Sequence, residues 1–195
     1  EYCKERFCGT EFLILTNGRV FCIDDYANML SRSISPNTVL AIPLHGSNAA
    51  LHDSITQAQG SFSQTVFGIT KLLHLQVPVE IRVVVSKYNF YDLIDLAKLI
   101  TETMPTAYRV HFIGLEMLGN AAVNSKNVWI PYSEAFTAIK PAANMLISAG
   151  INVGIYNFPL CAVEPDYWTL CKKSILEYKR KFPAACQNCS CIHIC

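Results

Sequence analysis

Five short apolar runs, each closed by a polar or glycine-containing turn, set the rhythm of this chain. They fall at 11–16, 38–44, 79–86, 108–115 and 151–156. They are rich in β-branched residues and too short for helices, so they read as buried strands. Between them the apolar period lengthens to that of helices, at 24–32, 48–75, 90–104 and 133–149. The clearest is 90–104, where Leu93, Ile94, Ala97 and Ile100 form a stripe opposite Asp92, Asp95 and Glu102. Pro105 stops that helix, Ala149-Gly150 supplies a left-handed cap, and Pro141 sets a kink or a first turn in 133–149. Apolar strands alternating with amphipathic helices predict an α/β fold with a parallel sheet covered by helices. After Cys161 the pattern breaks into one expected helix, 166–181, and a cysteine-rich coil. The expected division is therefore 1–157 for the α/β part and 158–195 for the cysteine-rich part.

Composition narrows the function. The 195 residues can bury one sizeable core. They are 51% hydrophobic and 16% charged, which excludes intrinsic disorder. A formal net charge of +1 gives no electrostatic case for nucleic acid or an anionic membrane. No apolar run approaches the roughly 18–20 residues that cross a bilayer, and no signal segment is visible. A cytoplasmic protein is expected. In parallel sheets covered by helices, ligands bind beyond the carboxyl ends of the strands. Those ends carry Thr16-Asn17-Gly18, His45-Gly46, Lys87-Tyr88-Asn89 and Glu116 to Ala121.

The nine cysteines are uneven: three by position 22, none from there to Cys161, and four in the last ten residues. An odd number with no secretory segment argues against a disulfide framework. Cys186-x2-Cys189-x5-Cys195 can grip a metal or cluster from two successive turns, with Cys161 or Cys191 as fourth ligand. Zinc and an iron–sulfur cluster both satisfy this spacing. Cys171 reads as an ordinary buried thiol within the 166–181 helix. Cys3 and Cys8 read as neighbours on adjacent turns of a helix, and His111 and His193 as structural.

The order of several segments resembles one family. Phe12-Leu13-Ile14-Leu15-Thr16-Asn17-Gly18-Arg19 is similar to the third barrel strand and turn of radical S-adenosylmethionine (SAM) enzymes. Leu51-His52-Asp53 with Gln57 to Phe62 is similar to their fourth helix, 79–85 with Asn89 to their fifth strand, and Phe112 to Ala121 to their sixth strand and loop. Trp129-Ile130, 150–156, Asn157, Leu160-Cys161, Trp168 and Ser174-Ile175 narrow the resemblance to the radical SAM maturase of the His-Xaa-Ser system.

That resemblance implies a partial (β/α) barrel, holding strands three to six plus one more, with a small cysteine-rich C-terminal cap. It implies chemistry on a ribosomally made peptide or protein, a His-Xaa-Ser repeat protein among the candidates, and an auxiliary 4Fe–4S cluster on Cys186, Cys189, Cys195 and Cys161. SAM in the complete enzyme would meet His45, Asn89, the backbone around Gly114 and Leu115, and Glu116. The Cys-x3-Cys-x2-Cys motif and the Gly-Gly-Glu segment of the family are absent from these residues. The expectation is an excerpt or a shortened relative that needs the upstream half of the barrel, or a partner radical SAM protein, and that does not cleave SAM alone. A peptide-binding module with structural zinc and a degenerate fragment are the alternatives.

Overall fold

The computed structural model describes residues 2–7, 9–175 and 182–195. In chain order the elements are α1 (Tyr2–Arg6), β1 (Phe12–Leu15), α2 (Asp24–Ser33), β2 (Thr38–Pro43), α3 (Ala49–Thr56), α4 (Ser61–His74), β3 (Val79–Val85), α5 (Leu93–Thr103), β4 (Arg109–Gly114), α6 (Asn120–Val123), α7 (Ser125–Val128), α8 (Tyr132–Ser148), β5 (Asn152–Tyr156) and β6 (Cys171–Lys172). Single 3₁₀ turns stand at Arg19–Cys22, Phe90–Asp92, Leu160–Ala162, Pro165–Leu170 and Ala184–Cys186.

All six strands are parallel, and their order in the sheet is their order in the chain. Right-handed crossovers in such a series put the main crossover helices, α4, α5 and α8, on one face and curl the sheet into part of a barrel. The outer face carries the core: Leu40, Ile81, Val83 and Phe112 pack against Ile69 and Leu72 of α4, Leu96 and Ile100 of α5, and Ile139 and Leu146 of α8. Alternation turns the other set of side chains inward. One inward row runs Ala41, Glu80, Arg109, Asn152, and the next runs Pro43, Arg82, His111, Gly154. A third runs Val84, Ile113, Tyr156, Lys172.

The five expected strands are present, and the structure adds β6. The stretch expected as one helix over 48–75 is two. Asn48 caps α3 by accepting from Leu51 N at 3.1 Å. Asp53 then reaches across the break, where its carboxylate accepts from Gly60 N (2.6 Å), Ser61 Oγ (2.8 Å) and Phe62 N (2.7 Å). A carboxylate at the start of α4 serves its unpaired amides and its positive end, and so stabilises a second helix start. These bonds also hold the Asp53 carboxyl below its ordinary pKa.

The expected 166–181 helix does not form over its described part. Trp168 Nε1 donates to Leu160 O (3.1 Å) and Val163 O (3.0 Å), which tucks 165–170 beneath the preceding turn. Cys171 and Lys172 then pair with Ile155 and Tyr156. The open edge of β5 satisfies their backbone groups better than an isolated helix could. Cys171 is therefore a half-buried strand residue, not a helical one. Residues 176–181 of that expectation lie outside the described residues, as does Cys8 of the Cys3–Cys8 pair. In α5 the buried stripe is Leu93, Leu96, Ala97 and Ile100, so Leu96 takes the place expected for Ile94. Gly150 has the expected left-handed φ of 80°, and α8 runs through Pro141.

The Thr16-Asn17-Gly18 turn is explained by packing. Gly18 has φ 72°, and a Cβ on Gly68 of α4 would lie 2.3 Å from Gly18 O. Arg19 Nε also donates to Gln64 Oε1 of α4 at 2.7 Å. Gly68→Ala gains about 1 kcal/mol in helix propensity but forces backbone apart, so it will lower unfolding free energy by a net of about 1–3 kcal/mol in urea denaturation. An unchanged midpoint would show that α4 is not seated on this turn.

Candidate functional site

Two neighbouring strand ends, those of β2 and β3, are tied together by buried polar side chains. Asn89 is 1% exposed. Its Oδ1 accepts from Ser86 N (2.9 Å) and Ser86 Oγ (3.3 Å), and its Nδ2 donates to His45 O (3.0 Å) and Val84 O (3.0 Å). Both amide atoms are thus engaged twice, which is the full capacity of an Asn side chain. In this arrangement Asn89 fixes the loops after β2 and β3 against each other. Ser47 adds a second tie: its N and Oγ donate to Asp92 Oδ2 (2.6 Å) and Oδ1 (2.7 Å). Asp92 was expected on a solvated helix face, but it precedes α5 in a 3₁₀ turn and is buried.

His45 N donates to Nδ1 of His52, and the two rings stand 5.6 Å apart. The buried His52 ring also meets Phe62 edge-on at 5.8 Å. Burial first, and the nearby His45 second, lower the His52 pKa to about 4. Burial lowers that of His45 as well. Both rings are neutral at pH 7, and His45 can offer a ligand an uncharged imidazole. The unfolded chain takes up protons near pH 6.5 that folded His52 refuses until about pH 4. Its stability contribution is therefore complete above pH 6.5 and is lost as pH falls through that window, by about 2–3 kcal/mol. Denaturation between pH 7 and 4.5 will show the slope, and His52→Asn, which keeps an acceptor, will flatten it. An equally steep slope in that variant would assign the effect elsewhere.

At the end of β4, Gly114 is required by crowding: a Cβ there would meet Asn157 O at 2.9 Å and Tyr132 Cε1 at 3.0 Å. Gly114 and Leu115 border a narrow crevice whose other walls include Val85, Trp129, Ile130 and Phe158. Burial and the nearby Glu116 carboxylate raise the Tyr132 pKa, which places Glu116 beside this crevice. The 115–131 segment is held over the rim by Lys87 N donating to Val128 O at 2.9 Å. Asn157, at the end of β5, has φ 63°, and its Oδ1 accepts from Ser174 N (3.1 Å) and Ser174 Oγ (3.0 Å).

The C-terminal cysteines come back to the loop after β5. Leu160 N donates to Cys195 Sγ at 3.4 Å, which brings the last residue of the chain beside Cys161. Cys186 and Cys189 sit on consecutive turns, with Cys189 N bonded to Cys186 O at 3.1 Å. Burial first, then the nearby thiols of Cys189, Cys161 and Cys195, raise the Cys186 pKa. Burial, then Cys195, raises that of Cys171, whose Sγ donates to Tyr167 O at 3.7 Å. Among the described residues, Cys161, Cys186, Cys189 and Cys191 are free thiols. Among the described residues no three His, Cys, Asp or Glu side chains are grouped closely enough to hold one metal ion. A four-iron cluster asks for wider spacing than zinc, because each thiolate meets a different iron. Cys186 has the thiols of Cys189, Cys161 and Cys195 in its neighbourhood, a donor chemistry that an iron–sulfur cluster and zinc both accept.

One group of residues was not foreseen as a site. Glu80, with 0% of its side chain exposed, stands on the inner face with Oε1 2.6 Å from Arg82 Nε and 3.1 Å from His111 Nδ1. Its Oε2 is 2.6 Å from Arg109 Nε. Burial alone would raise the Glu80 pKa, but hydrogen bonds from His111, Arg82 and Arg109 outweigh it and bring it down to about 2. The His111 ring lies 4.4 Å from that of Tyr156 and fills the space left by Gly154. The available signal was a single Glu at an inward position of an otherwise apolar strand, with Arg two residues on.

No family model matches the sequence, and no curated protein matches it either. Among the described residues no helix is long and apolar enough to cross a membrane. Solved structures do share the fold. One is a domain of pyruvate-formate lyase-activating enzyme from Bacteroides vulgatus ATCC 8482, similar over 75% of this chain and 81% of that one, with 12% identity and a TM-score of 0.56. Another is a radical SAM methyltransferase from Sphaerobacter thermophilus, 16% identical over 73% of this chain and 39% of that one, with a TM-score of 0.52. At such identities the likeness is one of fold, and the fold of this chain is a partial parallel (β/α) barrel.

Proposed function

We propose that this chain is the carboxyl-side portion of a radical SAM enzyme that modifies a ribosomally synthesised peptide or protein, most like the His-Xaa-Ser system maturase. The observation that supports the reading is the return of Cys195 to Leu160, which brings the end of the cysteine-rich tail back to the loop after β5 of the parallel barrel portion. Cys161, Cys186, Cys189 and Cys195 would hold an auxiliary 4Fe–4S cluster. In the complete enzyme a separate SAM-binding cluster would supply the electron that converts SAM to a 5′-deoxyadenosyl radical able to take hydrogen from a substrate.

The residues of this chain bind and orient. Asn89 and the Ser47–Asp92 pair lock the loop that carries His45, so that its neutral imidazole is held for a SAM ribose or carboxylate at a fixed height. The backbone around Gly114 and Leu115, at the carboxyl end of β4, would meet the edge of the adenine. Glu116 supplies a carboxylate at that edge for a ribose hydroxyl. Asn89, with its amide engaged, acts through position rather than by contact.

The inner face is open beside β1, where Leu13 and Leu15 are 44% and 64% exposed. An apolar inward edge of this kind supports completion by the upstream half of the barrel or by a partner radical SAM protein. It also leaves room for a peptide. The chain alone lacks the Cys-x3-Cys-x2-Cys set that leaves one iron open to SAM. After anaerobic reconstitution and reduction it will release no 5′-deoxyadenosine above background. Robust turnover would assign SAM cleavage to the C-terminal thiols and overturn this division of labour.

A further inference from the structure

We infer that the inner face carries a carboxylate-binding site, formed by the guanidinium groups of Arg82 and Arg109, that anchors an acidic group of the substrate. Both arginines are fixed through Nε on the same buried carboxylate, Oε1 of Glu80 holding Arg82 and Oε2 holding Arg109, each at 2.6 Å. A guanidinium held by Nε still has its terminal N–H groups to give, and these are the donors that fork onto a carboxylate. Neither head is fully buried, with side-chain exposures of 24% and 31%, so both are reachable from the open side of the sheet. The Arg109 guanidinium also lies over the Tyr108 ring, 5.0 Å from its centre, which limits its freedom further.

Charge points the same way. Within the six strands Glu80 is the only acid, whereas Arg82, Arg109 and Lys172 are all basic and all on inward rows. Two arginines on one glutamate leave a surplus positive charge, which a buried or half-buried site stabilises by binding an anion. The surplus at the pair is a single charge, and the fork geometry suits a planar carboxylate better than a dianion. His111 completes the wall by bonding Glu80 Oε1, and Val84, Ile113, Ala41 and Pro43 surround the pair with apolar surface. The ligand is thus a carboxylate carried on an apolar body.

The position separates this site from the rim. Arg109 opens β4 and Leu115 follows its end, so the two lie about 20 Å apart along an extended strand. A group bound at Arg109 therefore lies toward the amino ends of the strands, deep on the open inner face, and a substrate anchored there has to span the barrel to reach the rim. Its reading as a substrate anchor, though not the anion binding itself, rests on the function proposed above.

The test is nuclear magnetic resonance of the arginine Nε–Hε groups of the full chain, without cluster or SAM, during titration with butyrate. The resonances of Arg82 and Arg109 will shift together and saturate, whereas butyramide and chloride at equal ionic strength will not move them to saturation. Arg82→Lys and Arg109→Lys keep a cation on Glu80, assign the two resonances, and will each weaken butyrate about tenfold by losing the fork. Equal shifts with butyramide, or an unchanged butyrate affinity in both variants, would overturn the site. If a variant fails to fold, the butyrate and butyramide titrations of the parent chain still decide. Saturable butyrate binding in a chain that never takes up a cluster would keep this site and remove the radical SAM reading.

Discussion

Cys186→Ser, Cys189→Ser and Cys195→Ser will each abolish the brown colour and the acid-labile sulfide of the anaerobically reconstituted chain. Each change removes one thiolate from the proposed ligand set, of which Cys189, Cys161 and Cys195 lie in the neighbourhood of Cys186. A serine hydroxyl is a far weaker ligand for iron than a thiolate, so loss of one member will cost most of the bound cluster. Cys161→Ser will do the same, because Cys161 sits in the 3₁₀ turn that receives Cys195. Cys191→Ser and Cys171→Ser will leave colour and sulfide intact. Cys171 is already committed to β6 and to Tyr167 O. Loss of the cluster in Cys191→Ser with retention in Cys161→Ser would exchange the fourth ligand. Retention in all four ligand variants would remove the site from the tail.

Asn89→Ala will lower the free energy of unfolding by about 2–4 kcal/mol, the expected cost of leaving several buried backbone groups without partners. Ser86 N, His45 O and Val84 O all lose a bond, and none is well placed to recover it from water. Tyr91→Ala, at a site 66% exposed on the same turn, will change stability by no more than about 0.5 kcal/mol. In a barrel completed by its upstream half, Asn89→Ala will also weaken SAM by releasing the loop that carries His45. Equal stability of the two variants in urea would show that the Asn89 ties do not hold these strand ends together.

The strands were legible because their signal is local. Runs such as 79–85 are apolar, β-branched and bounded by turn residues, and singly wound parallel order follows from strand–helix alternation alone. Helix limits were less legible wherever a long-range bond sets them. The split of 48–75 depends on Asp53 reaching Gly60, Ser61 and Phe62, and no period in the sequence announces it. Cys171 and Lys172 were read by their helical neighbourhood, but the free edge of β5 decides their conformation. Asn89 was legible as a strand-end residue, and its engagement on both sides was not, since its partners include a carbonyl 44 residues away. The Glu80 group was missed for the same reason. Its arginines come from two strands, and only the register that pairs Glu80 with Arg109 brings them onto one carboxylate.

Metal and acid-labile sulfide analysis of the unaltered chain, prepared and reconstituted without oxygen, decides whether the C-terminal thiols hold an auxiliary iron–sulfur cluster. An iron–sulfur site there will give about four irons and about four sulfides per chain, with broad near-ultraviolet and visible absorption. One zinc per chain with no sulfide would contradict it, and the same thiols would then be the clasp of a peptide-binding module.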